Sequence, residues 1–187
     1  MSAPHRVARI LFPSEEANGA RIGGNLPQCL EGLTELEGYS FYATFENPND
    51  SSQFISVCVP ESFDDLLRAN IYPDCCVKVF QHPPSMEGAG AGHALPGYQR
   101  ARIGSYEFVE AQFFEFLTCS KEPLLLQEEP YYETALLRDG FRFLMQMDEF
   151  YYPDGLIEGN VVFGFGGLYL YAHESTGEVI AGFWQYS

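Results

Sequence analysis

The sequence predicts an α+β domain, mainly antiparallel β-sheet with a few short helices. Three observations lead there. Short runs alternate apolar and polar residues along most of the chain, the period of a strand with one buried face. One segment alone, residues 60–70, marks a helix well. The apolar fraction of 46%, with 16 Phe and 12 Tyr among 187 residues, supplies packing area for one domain over residues 1–187 without disulfides or metals.

The first strand expected is "RVARILF", residues 6–12. In "YSFYATFE", residues 39–46, strict alternation puts Tyr39, Phe41, Ala43 and Phe45 on one face and Ser40, Thr44 and Glu46 on the other. "FISVCV", residues 54–59, is a third strand. The period then changes in "PESFDDLLRAN": Phe63, Leu66 and Leu67 recur at helical spacing, with Ser62 and Asp65 placed as a capping pair. "CVKVFQ" returns to strand, and the Pro/Gly-rich residues 82–97 predict an exposed, mobile loop. "SYEFVEAQFFEFLT", residues 105–118, fits either period, its aromatic density favouring strand. "FRFLMQMD" reads as a core strand with Phe143, Met145 and Met147 on one face. The last signal is a hairpin, "LYLYAHESTGEVIAGFWQY", turning at Ser-Thr-Gly, with Trp184 on its final strand.

Two stretches resemble each other. "GYSFYATFENPND" and "GFRFLMQMDEFYYPDG" each run from a glycine through an aromatic-rich strand to an acidic residue and a Pro/Asp turn, as expected if two related half-sheets compose the fold.

Charge and motifs narrow the function. The 26 acidic against 10 basic residues give a formal net charge of −16, which disfavours nucleic acid and anionic membranes and favours a basic partner. No run of 18 apolar residues and no apolar signal-like segment near Met1 is present, so a cytoplasmic protein is expected. Five cysteines without Cys-x-x-Cys spacing read as free, buried thiols. His82, His93 and His173 lack metal-ligand spacing, and a Cys119–His173 nucleophile pair has only composition in its favour. The glycines of "EGAGAG" are out of register for a phosphate loop. Neither a catalytic residue, a metal site nor a cofactor is predicted.

"ARIGGNLPQC", "FRFLMQMDEF" and "VVFGFGGLYLYAH" fall in the order of the landmarks of the YwqG-like family, which the chain resembles. The matching positions are Gly23, Gly24 and Pro27, then Phe143, Leu144, Gln146 and Asp148, then Gly167, Leu168 and Tyr169, with one extra residue before Pro27. The resemblance implies a mostly β bacterial domain of unknown molecular function, with some relatives encoded among toxin and immunity genes. That implication joins the acidity: between Glu107 and Glu158 lie 12 acidic residues against Lys121, Arg138 and Arg142. The partner-binding surface is therefore expected at Asp148, Glu149, Tyr151, Tyr152 and Asp154, with Glu128 and Glu129, facing a basic toxin domain whose active site it occludes. The alternative is a small-ligand protein or enzyme with an aromatic-lined pocket for a carbohydrate.

Overall fold

The computed structural model describes residues 4–11, 19–129 and 131–187. It contains twelve strands, two α-helices and three single 3₁₀ turns among those residues. The strands are β1 His5–Ala8, β2 Ile10–Leu11, β3 Arg21–Ile22, β4 Tyr39–Asn47, β5 Asp50–Pro60 and β6 Lys78–His82, then β7 Ala101–Ile103, β8 Glu107–Val109, β9 Leu117–Cys119, β10 Phe141–Asp148, β11 Gly167–His173 and β12 Val179–Gln185. Helix α1 is Phe63–Arg68 and α2 is Tyr131–Arg138.

All strand pairings are antiparallel. The first sheet has the order β12-β11-β10-β9-β1-β8, the second β6-β5-β4-β3-β7-β2. Moving six strands along the chain converts either order into the other. The two sheets are thus topological copies in which each half contributes its first strand to the other's sheet. This exchange explains the first sequence signal: the expected strand over residues 6–12 is divided, because β1 belongs to the first sheet and β2 to the second. Phe12 lies outside the described residues.

The repeat extends to an irregularity. The register of β4 on β5 shifts between Phe41 and Ala43, and that of β10 on β11 between Phe143 and Met145. Each is a bulge four residues after a glycine of positive φ, Gly38 (+75°) and Gly140 (+87°). A bulge inserts one residue and reverses the facing beyond it. Strict alternation therefore fails in both strands. Tyr39 and Phe41 pack on the outer face of the second sheet with Leu26, Leu30, Leu36 and Cys58, while Tyr42, Ala43 and Phe45 enter the main core. Likewise Phe143 packs outside with Phe141, Tyr171 and Phe183, while Leu144, Met145 and Met147 turn inward.

The main core lies between the sheets and draws Ile22, Val57 and Ile103 from one, Leu168, Leu170 and Trp184 from the other. Burying such side chains stabilises by about 1.5–3 kcal/mol each. Helix α1 starts as its capping pair predicts, the Asp65 N–H donating to Ser62 Oγ at 3.4 Å, and the Trp184 indole N–H donates to the Leu66 carbonyl at 3.0 Å. Helix α2 has no counterpart in the sequence reading; its Tyr132 and Leu136 cover the outer face of the first sheet. Residues 105–118 form strand as favoured, but only as β8 and the start of β9, which flank β1 on either side. The C-terminal hairpin is β11–β12.

The Gly-rich loop is largely exposed, as expected, but it is tethered. Hydrogen bonds join Gly88 N to Leu26 O, Gln28 N to Met86 O (both 2.8 Å) and Gly90 N to Glu31 Oε1 (3.0 Å), so the glycines serve a tethered segment over the outer face of the second sheet. All five cysteines are free, but of the buried thiols expected only Cys58 is fully buried; Cys75, Cys76 and Cys119 are half-buried and Cys29 is exposed.

Candidate binding surface

The end of β10 places the sequence-predicted residues in three different settings. Asp148 is buried, and its Oδ1 accepts from the Phe150 N–H at 2.9 Å, capping the 3₁₀ turn Glu149–Tyr151. Burial holds its carboxyl above the usual carboxylate range. Glu149 is 1% exposed. Tyr152 turns its hydroxyl inward onto that of Tyr42. Asp148 and Glu149 are not surface groups, because the turn after β10 folds back between the two sheets, and Tyr152 is half-buried with its hydroxyl turned in. Tyr151 is half-buried, whereas Asp154, Glu128 and Glu129 are exposed.

Glu149 organises what surrounds it. The Phe163 N–H donates to both its oxygens at 3.0 Å, and the Phe165 N–H donates to Oε2 at 3.1 Å. The Tyr152 and Tyr98 hydroxyls approach Oε1 at 3.3 and 3.5 Å, and Tyr98 accepts the Val162 N–H at 3.0 Å. Desolvation pushes the Glu149 carboxyl up to about 7, against the pull of the N–H and hydroxyl donors. Burial and the neighbouring carboxylate likewise raise Tyr42 and Tyr98. A carboxyl of this pKa has the acidity of a general acid, yet both oxygens are engaged by main-chain donors. Its work here is to hold residues 162–165.

Gly164 and Phe165 both adopt left-handed backbone, at φ +61° and +58°. This turn aims the alternate N–H groups of Phe163 and Phe165 at the Glu149 carboxyl. For a phenylalanine this conformation is a steric outlier, and its side chain is 56% exposed. Phe150, on the other side of Glu149, is 75% exposed and meets Tyr151 edge-on at 5.5 Å. Tyr186, 53% exposed, adjoins Gly164, and Ser187 Oγ donates to the Gly164 carbonyl at 3.1 Å. Gln127 Nε2 donates to the Tyr186 carbonyl at 3.3 Å, whereas the next residue, Glu128, lines a separate cavity with Lys121, Leu137 and Arg142. The result is an exposed aromatic surface at one end of the first sheet. Phe150, Phe165 and Tyr186 were absent from the sequence-based site; the "FGFGG" run was the available signal for Phe165.

A second cluster escaped the sequence reading. Ser56 Oγ and His82 Nε2 lie 2.7 Å apart, with Thr44 Oγ1 2.9 Å from Ser56 and the Pro83 carbonyl 2.7 Å from His82 Nδ1. Since a carbonyl only accepts, Nδ1 carries the proton, Ser56 donates to Nε2 and Thr44 donates to Ser56. Burial lowers the His82 pKa and keeps this neutral tautomer. The pair has the polarity of a nucleophile and its base, but all three side chains are buried in the outer face of the second sheet. They anchor the start of the loop at Pro83. Cys119 and His173 lie on β9 and β11, separated by β10.

Among the described residues no group of three or more His, Cys, Asp or Glu side chains is placed to hold a metal ion, and no helix is long and apolar enough to cross a membrane. Comparison with protein-family models finds none that matches the chain, and comparison with curated proteins likewise finds no match.

Proposed function

We propose that this chain is a YwqG-like, cytoplasmic binding protein whose target is a basic protein, and that it acts as an immunity protein, covering the active site of a cognate bacterial toxin. The observation that carries the reading is Phe165: an aromatic side chain left exposed in a strained backbone, held there by a buried carboxylate. Strain of this kind costs about 1–3 kcal/mol and persists where function needs it. Phe150, Tyr151, Phe165 and Tyr186 supply rigid aromatic anchors, and the exposed carboxylates of Asp154, Glu128 and Glu129 add to the negative field that draws a basic partner. The net charge of −16 supports a basic target, approached by electrostatic steering.

The test begins with capture of a basic protein in stoichiometric amount by the immobilised chain, followed by calorimetry with that partner purified. The dissociation constant is expected to rise with salt, and Phe150→Ala with Phe165→Ala to cost about 2 kcal/mol or more. A folded double variant that binds its confirmed partner unchanged rejects this surface. Tight binding of a sugar with no protein partner supports the carbohydrate reading instead.

A further inference from the structure

Arg21 is 0% exposed. Its Nη1 donates to the Gly19 carbonyl at 3.4 Å, its Nη2 to the Asn25 carbonyl, and its guanidinium lies 4.9 Å from the centre of the Phe41 ring. The remaining N–H, at Nε, has no hydrogen-bond partner. It faces Glu87 Oε2 across 3.9 Å, well beyond the roughly 2.7–3.2 Å of a hydrogen bond. The same Glu87 carboxylate accepts from Arg100 Nη1 at 2.9 Å and from the Asn25 N–H at 2.7 Å. Three donors therefore converge on a group with two oxygens, and the most deeply buried donor is the one left unsatisfied.

The Glu87 carboxylate fills the cradle and is the part of it that reaches solvent, its side chain 13% exposed against 0% for Arg21. A Cβ on Gly24 would stand 2.5 Å from Glu87 Oε1, so the glycine makes room for the carboxylate. The Glu87 side chain leaves by rotation alone, since its neighbours Met86 and Gly88 keep their main-chain bonds to Gln28 and Leu26. A tetrahedral phosphate offers a third oxygen and a second charge to the same donors. We propose that Arg21, Arg100 and the Asn25 N–H form a binding site for a phosphate group, free or as a phosphomonoester, and that Glu87 occupies this site as a built-in competitor. This rests on residues separate from the aromatic surface and stands or falls independently of it.

Thermal melts and calorimetry of the full chain titrated with inorganic phosphate and with O-phosphoserine, against chloride at equal ionic strength, test it. A saturable response to both phosphates is expected in the wild type, at least tenfold tighter in Glu87→Ala, and lost when Arg100→Gln is added. Response to inorganic phosphate alone narrows the ligand to the free ion. Should Glu87→Ala fail to fold, Glu87→Gln removes the competing charge while keeping an acceptor for Asn25, and the same tightening is expected. No saturable response in the wild type and in the folded variant overturns the proposal. So does an equal response with and without Arg100→Gln.

Discussion

Glu149 has a folded-state pKa of about 7, above its ordinary 4.5. Between those values the folded chain retains a proton that the unfolded chain has released. The resulting stability is complete below pH about 4.5 and is lost as pH rises through about 7, a change of about 3 kcal/mol at about 1.4 kcal/mol per pH unit. Chemical denaturation across pH 4.5 to 8 should show this fall in the wild type and not in Glu149→Gln. That variant should also lose about 1–3 kcal/mol at pH 5, because its amide places a donor against the Phe163 or Phe165 N–H. Phe165 offers the complementary experiment. Phe165→Gly relieves the left-handed strain and should raise stability by about 1 kcal/mol while weakening the proposed partner contact; a stability loss instead would show that the side chain packs favourably and that the strain is not functional.

At the scale of elements, the bulges at Tyr42 and Leu144 decide which side chains reach the core. Each lets one strand serve two clusters, the outer one before the bulge and the inner one after it. Close approach of strands and loops sets a second constraint at the entry to β11. A Cβ on Gly166 would lie 1.8 Å from the Gln185 carbonyl oxygen of β12, and backbone cannot give way as a side chain tip can. Gly166→Ala should therefore cost at least about 3 kcal/mol, read as a drop in denaturation midpoint, and should disturb residues 162–165 together with the aromatic surface. An unchanged midpoint would mean that this turn adjusts more freely than its contacts imply.

At the scale of the molecule, the exchanged strands β1 and β7 make each half incomplete, since each sheet has a strand from the other half inserted between its edge strand and the remaining four. Fragments 1–96 and 97–187 expressed separately should remain unfolded by circular dichroism, and together should reconstitute the native β spectrum. Independent cooperative melting of either fragment would contradict the interdependence of the sheets. The edge strand β12 is covered rather than left free, with Tyr72 N bonded to the Gly182 carbonyl and Trp184 N to that of Asn70. Such cover removes an invitation to edge-to-edge pairing at β12.

Local period was enough for the class of fold, the C-terminal hairpin, the Ser62 cap and the likeness between the β4 and β10 regions, because alternation and capping are written in neighbouring residues. Alternation was not enough for the faces of Phe41 and Phe143, since an inserted residue shows only against a partner strand. Nor could composition separate Asp148 and Glu149 from Asp154: all three are carboxylates near one turn, and only the return of that turn between the sheets buries two of them. The division of residues 6–12 between sheets, the Gly-rich loop held by Glu31 and Glu87, and the meeting of Phe165 with Glu149 depend likewise on contacts between distant parts of the chain. Tertiary structure decided them because burial and hydrogen-bond satisfaction belong to the neighbours a residue acquires on folding, not to its place in the sequence.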